Sequence, residues 1–342
     1  MRAQVLHKWG GEVTLEEVAT PRPGPGEVLV KVEACGVGLT VLNYMKGNMS
    51  GRKEEVPRIP GHEAVGRVVE IGAGVSGLQV GERVMVYFYL ACGTCDYCRL
   101  AHESLCRHLR GNVGVAANGG YAEYLVLPAF NLLPVPDGVG AVDATAVPDA
   151  IATPLHVNRR AGVGPSDTVV VIGAAGGVGI HMVQMARLFG AEVIGIDRGE
   201  SKLRAVRDIG ARDAFEFGAG DLGDRLRAAA PGGITVIIDL VGSRDTVTFA
   251  LDTLGRRGRL VLLTTFPGVT AEISPRRFVH DELTVMGSRY ASRWEVAEAG
   301  RLVQRRRIKP VISESVPLER VGELHAKLRA GTLLGRGAIV FE

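Results

Sequence analysis

The sequence has almost no excess of charge of one sign and no long hydrophobic run. Its 40 lysines and arginines nearly balance 37 aspartates and glutamates, and the formal net charge of +3 gives no electrostatic reason to expect a nucleic-acid partner. No apolar run approaches the roughly 18 residues of a membrane span, and the segment from Met1 to Lys8 lacks the apolar core of a signal peptide. We therefore expect a cytoplasmic protein that acts on a small-molecule substrate, without membrane or nucleic-acid partners.

The pattern of the chain changes from β-rich to alternating α/β near its middle. Its 342 residues are 46% hydrophobic and include 46 glycines, which is typical of a globular chain long enough for two domains. Between Val28 and Val86, short β-runs alternate with glycine-rich turns, a pattern typical of a partly open barrel. From Asp167 onward, strand and helix patterns alternate. The predicted fold class is therefore α/β, with a Rossmann doubly wound parallel sheet and a second, β-rich domain.

Four of the five cysteines lie within fifteen residues, in the pattern C-x2-C-x2-C-x7-C. They are Cys92, Cys95, Cys98 and Cys106. Gly93 allows a tight first turn and the longer arm closes a tetrahedron, so the thiolates can converge on one Zn²⁺. Because four thiolates leave no coordination position for a substrate, the predicted zinc is structural. The fifth cysteine, Cys35, stands alone and is interpreted as a small buried hydrophobic residue.

A glycine-rich loop follows a predicted β-branched strand and opens a predicted helix. Its candidate cofactor-binding residues are Gly173, Gly176, Gly177, Val178 and Gly179. Such glycines permit a tight turn, and backbone N–H groups at the positive end of a helix bind a pyrophosphate. Asp197, after the next predicted strand, is suited to bind an adenosine ribose and to repel a 2′-phosphate, which favours NAD(H) over NADP(H), although Arg198 relaxes that preference. The alternative is a turn that packs a helix on a strand without a ligand.

Three motifs follow one another in a characteristic order. They are Gly61-His62-Glu63, the four cysteines and the loop from Gly173 to Gly179. Together they resemble the medium-chain dehydrogenase/reductase superfamily, the zinc alcohol dehydrogenases and their relatives. The resemblance implies a GroES-like catalytic domain with a structural zinc lobe over residues 1–151, a Rossmann NAD-binding domain over 152–288, and a C-terminal segment, 289–342, that returns to the catalytic domain. It also implies a nicotinamide in the cleft and a homodimer or homotetramer.

The catalytic zinc site of this superfamily is only partly present. The resemblance implies zinc ligands from a cysteine in a G-x-C-H-T-D stretch, from the histidine of G-H-E, and from a later cysteine or acidic residue. Gly38 aligns with the ligand cysteine and Thr40 with the threonine of that stretch, whereas His62 and Asp149 match the other ligands. Two ligands, with Glu63 nearby, fall short of the three that a catalytic zinc normally has. The sequence therefore predicts one structural zinc and casts doubt on a catalytic one.

Two alternatives at this site stay open. A shift of the glycine-containing loop by three residues would bring Cys35 to the site, and His62 would serve packing alone if it were a core histidine. The resemblance further implies that Arg336 reaches the cofactor pyrophosphate and that Val241 lies beside the nicotinamide.

The predicted reaction follows from the incomplete zinc site. Without a Lewis acid, reduction of a plain ketone loses the polarisation of its oxygen, whereas an activated C=C bond takes hydride at the β-carbon and places charge on a carbonyl that fixed donors stabilise. The loop from Gly173 to Gly179 also resembles those of the quinone-reductase and acryloyl-CoA-reductase branches.

We predict an NADH-dependent reductase of an α,β-unsaturated carbonyl, such as a short 2-enoyl-CoA thioester. Its predicted catalytic residues are Thr40, His62, Glu63 and Asp149. The alternatives are a zinc-dependent alcohol dehydrogenase with an atypical ligand set and a dinucleotide-binding regulator without turnover.

Overall fold

The computed structural model describes residues 1–47, 56–264 and 266–341. Its strands, in chain order, are β1 (Arg2–Leu6), β2 (Val13–Glu17), β3 (Glu27–Val37), β4 (Glu63–Ile71), β5 (Arg83–Val86), β6 (Tyr124–Pro128), β7 (Leu132–Pro134), β8 (Thr168–Ile172), β9 (Glu192–Asp197), β10 (Asp213–Glu216), β11 (Val236–Asp239), β12 (Arg259–Leu262), β13 (Thr284–Gly287), β14 (Ile312–Pro317) and β15 (Arg336–Val340). Its α-helices are α1 (Leu39–Met45), α2 (Asp96–Arg99), α3 (Ala141–Ala144), α4 (Ala152–Ala161), α5 (Gly179–Leu188), α6 (Glu200–Asp208), α7 (Leu222–Ala229), α8 (Arg244–Thr253), α9 (Pro275–Asp281), α10 (Arg293–Gln304) and α11 (Val321–Arg329). A π-helical turn, Val147–Ile151, precedes α4.

These elements form two units. The first unit comprises Met1–Ala152 and Ala291–Glu342, and the second comprises Thr153–Tyr290. The boundaries predicted from the sequence lie after residues 151 and 288. The chain therefore leaves the first unit once, after Ala152, and returns to it at Ala291.

The first unit is built on a seven-stranded sheet with the order β14-β15-β3-β4-β5-β7 and with β6 also paired to β3. Strand β3 is the long central strand, and eight of its eleven residues are buried. Strand β15 pairs antiparallel to β3 with Gly337 opposite Val37. Strand β4 also pairs antiparallel to β3, with Glu63 opposite Gly36. This register brings the first residues of β4 and β15 to the end of β3.

The second unit contains a six-stranded sheet with the order β10-β9-β8-β11-β12-β13. All of its strand pairs are parallel. The central strand β8 consists of β-branched residues and is almost fully buried, as expected for a strand covered on both faces. The crossover order confirms the predicted doubly wound Rossmann sheet. Among the described residues, the structure contains no helix with the length and apolar character of a membrane span.

Candidate functional site

Four side chains of the first unit converge where β3 ends and where β4 and β15 begin. They are His62, Glu63, Asp149 and Arg336, and we call them the arginine site. Glu63 opens β4, Arg336 opens β15, and His62 immediately precedes β4. The neighbouring Gly61 has φ +95°, and a Cβ there would lie 2.5 Å from the Tyr121 ring, so glycine is required for the turn that presents His62.

Asp149 reaches the arginine site from the π-helical turn Val147–Ile151. The Ile151 N–H donates to the Ala146 carbonyl over 2.9 Å, a bond that spans five residues and widens the helix. Every residue of this turn is buried. Such local widenings of a helix occur frequently at functional sites. The turn therefore directs a carboxylate into the interior of the unit.

The arginine site is held together by charge. Arg336 Nη2 donates to Asp149 Oδ2 over 2.8 Å and lies 3.0 Å from Glu63 Oε1. His62 Nε2 is 3.5 Å from the same Asp149 oxygen. The four residues are between 0% and 7% exposed, so their charges are balanced mainly by one another and not by water.

Burial and neighbouring charges also set the protonation of Glu63. Removal from water raises the pKa of its carboxyl, an effect that the Arg336 guanidinium opposes and the Asp149 carboxylate reinforces. Beside Asp149, the Glu63 carboxyl therefore ionises less readily than it would in water. The guanidinium is the group that allows both carboxyls to be buried together.

The residues of this site do not fit a catalytic zinc. Within the described part of the chain, the group that could surround a cation here consists of His62, Glu63 and Asp149. Both carboxylates already contact the Arg336 guanidinium, and a thiolate, the ligand that a zinc site of this kind normally uses, is lacking from that group. The position aligned with the ligand cysteine is Gly38, and Arg336 Nη1 lies 1.5 Å from where its Cβ would stand.

Cys35 does not join the arginine site. Its Sγ lies against Gly61 and Gly120, where a Cβ on either glycine would come within 3.0 Å of the sulfur. Its side chain is fully buried, and burial raises the pKa of the thiol. This environment matches the interpretation of Cys35 as a small buried hydrophobic residue.

The structure gives the partners of Arg336, and its predicted role at the cofactor pyrophosphate stays a prediction. The guanidinium points into the first unit, and the residue is 3% exposed. The reason is the pair of buried carboxylates, Glu63 and Asp149, which a guanidinium neutralises better than water can at that depth. Thr40, the remaining predicted catalytic residue, is the second residue of α1 and is half-buried.

The predicted structural metal site has suitable geometry. We call the segment from Cys92 to Cys106 the cysteine lobe. Four of its Sγ–Sγ separations are 3.5 Å (Cys95–Cys98 and Cys92–Cys106) and 3.9 Å (Cys92–Cys98 and Cys95–Cys106). Four sulfurs at the usual zinc–sulfur distance in a tetrahedron are about 3.8 Å apart. The four cysteines therefore fit a structural Zn²⁺.

Hydrogen bonds in the cysteine lobe favour thiolates. The backbone and hydroxyl of Thr94 and the backbone of Cys95 lower the pKa of Cys92 to about 5. The more deeply placed Cys98 shows the opposite: burial and the neighbouring thiols Cys95 and Cys106 raise its pKa. All four sulfurs can ionise together only when a cation balances them, and zinc supplies that charge in sites of this type.

In the second unit, the glycine-rich loop has the geometry of a dinucleotide site. Gly173 has φ +82°, and a Cβ on Gly179 would lie 2.0 Å from the Gly173 carbonyl oxygen, so the loop folds tightly under the start of α5. A Cβ on Gly176 would meet only that oxygen, at 3.4 Å, which leaves the outer side of the loop open. The residues fit a pyrophosphate bound at the N-terminus of α5.

Asp197 ends β9 beside this loop. Its Oδ2 accepts a hydrogen bond from the Ala175 N–H, and its Oδ1 accepts one from the Arg198 N–H, each over 2.8 Å. Each carboxylate oxygen keeps a further lone pair for a ribose hydroxyl. Lys202 Nζ lies 4.0 Å from Asp197, and the Arg198 guanidinium lies over the Phe217 ring at 5.8 Å. The predicted roles of Asp197 and Arg198 remain predictions.

One residue that positions the second unit's loops was missed in the sequence. Asp239 ends β11, is fully buried, and accepts hydrogen bonds from the N–H groups of Val241 and Gly242 and from the Thr246 hydroxyl. It therefore fixes the turn that carries Val241, the residue predicted to lie beside the nicotinamide. A lone aspartate that ends an apolar run, Val236–Asp239, is the signal that would have found it.

Comparisons with known proteins agree with this architecture. The family model described as an alcohol dehydrogenase GroES-like domain matches residues 24–137, and the one described as a zinc-binding dehydrogenase matches residues 177–305. An alcohol dehydrogenase of Geobacillus stearothermophilus is 32% identical over 98% of both chains. An acryloyl-coenzyme A reductase of Sulfurisphaera tokodaii is 31% identical over 94% of both chains.

A solved structure leads to the same family. The cobalt- and zinc-bound thermostable alcohol dehydrogenase from Pyrobaculum aerophilum has a TM-score of 0.89 and 32% identity, and the match covers 100% of this chain and 99% of that one. A GroES-like unit and a Rossmann unit define a two-unit dehydrogenase. The chain belongs to the medium-chain dehydrogenase/reductase superfamily of zinc-type alcohol dehydrogenases, and it is thus a member of a family of oxidoreductases.

Proposed function

We propose that this protein is an NADH-dependent reductase that saturates an activated C=C bond without a catalytic zinc. The substrate class is an α,β-unsaturated carbonyl, such as a short 2-enoyl-CoA thioester. The observation that carries the proposal is the arginine site, in which a guanidinium contacts both carboxylates and the aligned ligand position is Gly38. The acryloyl-coenzyme A reductase among the relatives supports the substrate class.

The proposal follows from where negative charge develops. When bound, reduced nicotinamide supplies a hydride, which adds to the β-carbon of the substrate. The electron pair of the C=C bond moves to the carbonyl oxygen as an enolate, and fixed hydrogen-bond donors stabilise it there. Reduction of an isolated ketone would place full alkoxide charge on the oxygen, which metal-containing relatives stabilise with a Lewis acid.

The chain supplies candidate groups for the two remaining tasks. The Thr40 hydroxyl can donate a hydrogen bond to the enolate oxygen. Within the part of the chain that the structure describes, neither ring nitrogen of His62 has a hydrogen-bond partner. A buried imidazole with an open nitrogen is suited to donate the proton that the α-carbon needs, and Asp149 at 3.5 Å orients it.

The proposed cofactor is NADH, held by the second unit. The loop from Gly173 to Gly179 would hold the pyrophosphate, and Asp197 would accept the ribose hydroxyls. The carboxylate would repel a 2′-phosphate, although Lys202 at 4.0 Å and the adjacent Arg198 reduce that repulsion. We therefore propose a preference for NADH over NADPH and not an absolute selection.

A homodimer or homotetramer forms part of this proposal. Strand β13 lies at one end of the Rossmann sheet, so its outer backbone groups can pair with another strand. Val285 in β13 is 40% exposed, which suits an apolar contact between two copies. Light scattering on the purified protein would give the number of chains per particle.

The second candidate is oxidation of an alcohol. It is favoured by the names of relatives such as the Geobacillus enzyme and by the ligand atoms of His62, Glu63 and Asp149, which lie within 4.8 Å of one another. This reaction would need a second metal in addition to that of the cysteine lobe.

The deciding experiment follows the transferred hydrogen. NADH carrying deuterium at its reactive carbon is incubated with crotonyl-CoA, with a quinone and with an aldehyde, and the products are located by mass spectrometry and NMR. We expect deuterium on the β-carbon of the acyl product. NAD⁺-dependent alcohol oxidation, with no reduction of any enone, would contradict the proposal.

The role of Thr40 is tested with a matched pair of variants. We expect Thr40→Ala to lower kcat for enoyl reduction by about 100-fold, because removal of one donor to a developing oxyanion has an effect of that size. Thr332 is exposed, so Thr332→Ala should leave kcat unchanged. Equal rates in the two variants would remove Thr40 from the mechanism.

A further inference from the structure

We propose that the guanidinium of Arg336 is the permanent cation of the arginine site and that it replaces a metal there. We further propose that residue 38 is glycine because a side chain would occupy the space of this guanidinium. The inference deepens the zinc-free part of the proposed function, but it does not depend on the substrate.

The Arg336 guanidinium occupies the space that a side chain at position 38 would need. A Cβ on Gly38 would lie 1.5 Å from Arg336 Nη1 and 2.5 Å from Cζ. These distances are far inside van der Waals contact, so any side chain at position 38 and this position of the guanidinium exclude each other. A cysteine at position 38 would therefore displace Arg336.

The backbone of Gly38 does not itself require glycine. Its φ of −133° and ψ of 172° are extended values that any residue adopts. The residue also precedes the first turn of α1, where serine, threonine, aspartate and asparagine are preferred because their side chains accept from free N–H groups. Neither the backbone conformation nor helix capping requires glycine at position 38. The remaining reason is the lack of space for a side chain.

Gly140 provides an internal comparison. It too precedes a helix with extended backbone angles, φ −67° and ψ 155°, in the same unit. A Cβ on Gly140 would meet nothing within 4 Å. The two glycines thus share a backbone role and differ in whether a guanidinium stands where the side chain would be.

The charge of Arg336 also opposes a metal ion at this site. Arg336 lies 2.8 Å from Asp149 and 3.0 Å from Glu63, and it is nearly fully buried with them. A divalent ion placed among the same carboxylates would stand close to the guanidinium, and repulsion between like charges is strong at such depth. A metal can enter only if Arg336 leaves.

Metal content tests the inference without any substrate. Each variant is exposed to excess Zn²⁺, passed through gel filtration and analysed for zinc per chain. We expect one zinc for the wild type, two for Gly38→Cys/Arg336→Ala, and one again when His62→Ala is added to the double variant. The third protein shows whether the additional ion is bound at the arginine site.

Two outcomes would overturn the inference. One is a wild-type protein that binds two zinc ions and loses the second on His62→Ala, because the guanidinium would then not exclude a metal. The other is a folded Gly38→Cys/Arg336→Ala protein that binds only one. Neither result bears on enoyl reduction, because the deuterium experiment tests that reaction separately.

A melting experiment covers the case in which the double variant does not fold. We expect Gly38→Ala to lower Tm by on the order of 10 °C, because the methyl group displaces a buried, paired guanidinium. Gly140→Ala should leave Tm unchanged or slightly raised. Equal melting temperatures for the two variants would contradict the inference.

Discussion

The cysteine lobe and the arginine site are both clusters of potential metal ligands, and they differ in the source of their positive charge. The lobe gathers four sulfurs at separations of 3.5 to 3.9 Å, which a metal ion from solution must balance. The arginine site gathers two carboxylates and an imidazole around a guanidinium carried by β15. One cluster depends on metal supply and the other only on folding.

This difference shows how buried groups of the kind that ligate metals can be balanced without a metal. The ligand atoms of His62, Glu63 and Asp149 lie within 4.8 Å of one another. The absence of a side chain at Gly38 leaves the space that Arg336 fills. The buried carboxylates then remain compensated, and the architecture of the unit does not have to change.

Removal of the metal from the cysteine lobe should have the largest effect. Cys98→Ser deletes one of four ligands, and a structural zinc couples directly to folding. We expect zinc content to fall from one per chain to near zero and Tm to fall by on the order of 10 °C or more. Elemental analysis and calorimetry on the same preparation measure both quantities.

The control for that experiment is the cysteine outside the lobe. Cys35→Ala removes a buried thiol that lies against Gly61 and Gly120, so it should retain one zinc per chain. Retention of zinc by Cys98→Ser, or its loss from Cys35→Ala, would show that the lobe does not hold the metal.

Removal of the guanidinium from the arginine site should have the next largest effect. Arg336→Ala leaves Glu63 and Asp149 buried without their cation, and loss of one partner from a buried ion pair costs about 3–5 kcal/mol. We expect that loss in the free energy of unfolding, measured by urea denaturation of the zinc-containing protein.

An exposed arginine supplies the matched control. Arg320 pairs with Glu323 on the protein surface, with 60% and 51% of the two side chains exposed. Arg320→Ala removes the same charge and the same number of atoms, and exposed pairs contribute little to stability. A similar, small change in both variants would mean that the arginine site is not stabilised by its ion pairs.

Much of this fold could be predicted from local patterns. The β-branched run of β8, the glycine loop after it and the acidic residue ending β9 are close in sequence, and each has its own steric or hydrogen-bonding reason. The cysteine lobe was equally accessible, because its four ligands lie within fifteen residues. Local spacing therefore identified both the Rossmann unit and the metal lobe.

The arginine site could be predicted only in part. The sequence showed that Gly38 supplies no ligand side chain and that His62 and Asp149 are present. It did not show which group balances the charges at this site. Arg336 lies almost 300 residues from Gly38 in sequence, and only the antiparallel register of β15 on β3 brings them together. Long-range strand pairing was the missing information.

Acid should destabilise the framework behind the arginine site through His325. We expect this effect to be smaller than those of removing the metal from the cysteine lobe and the guanidinium from the arginine site. His325 Nε2 lies 3.2 Å from the Tyr121 hydroxyl, and the Tyr121 ring packs against Gly61, which precedes His62. Burial, followed by the positive charge of Arg329, lowers the pKa of His325 to about 4. The framework behind the arginine site therefore contains a histidine that stays neutral in the folded protein.

The sign of the pH effect follows from proton binding. Below its ordinary pKa of about 6.5, His325 binds a proton in the unfolded chain but not in the folded one, so stability is fully present above that pH and falls as pH drops toward 4. We expect a loss of roughly 2–3 kcal/mol from this residue, and His325→Phe should remove that part of the pH dependence. Exposed His280 offers the control, since His280→Gln should leave the profile unchanged. Zinc content measured at each pH distinguishes this loss from protonation of the cysteine lobe, and a profile that His325→Phe does not flatten would assign the acid sensitivity to the lobe.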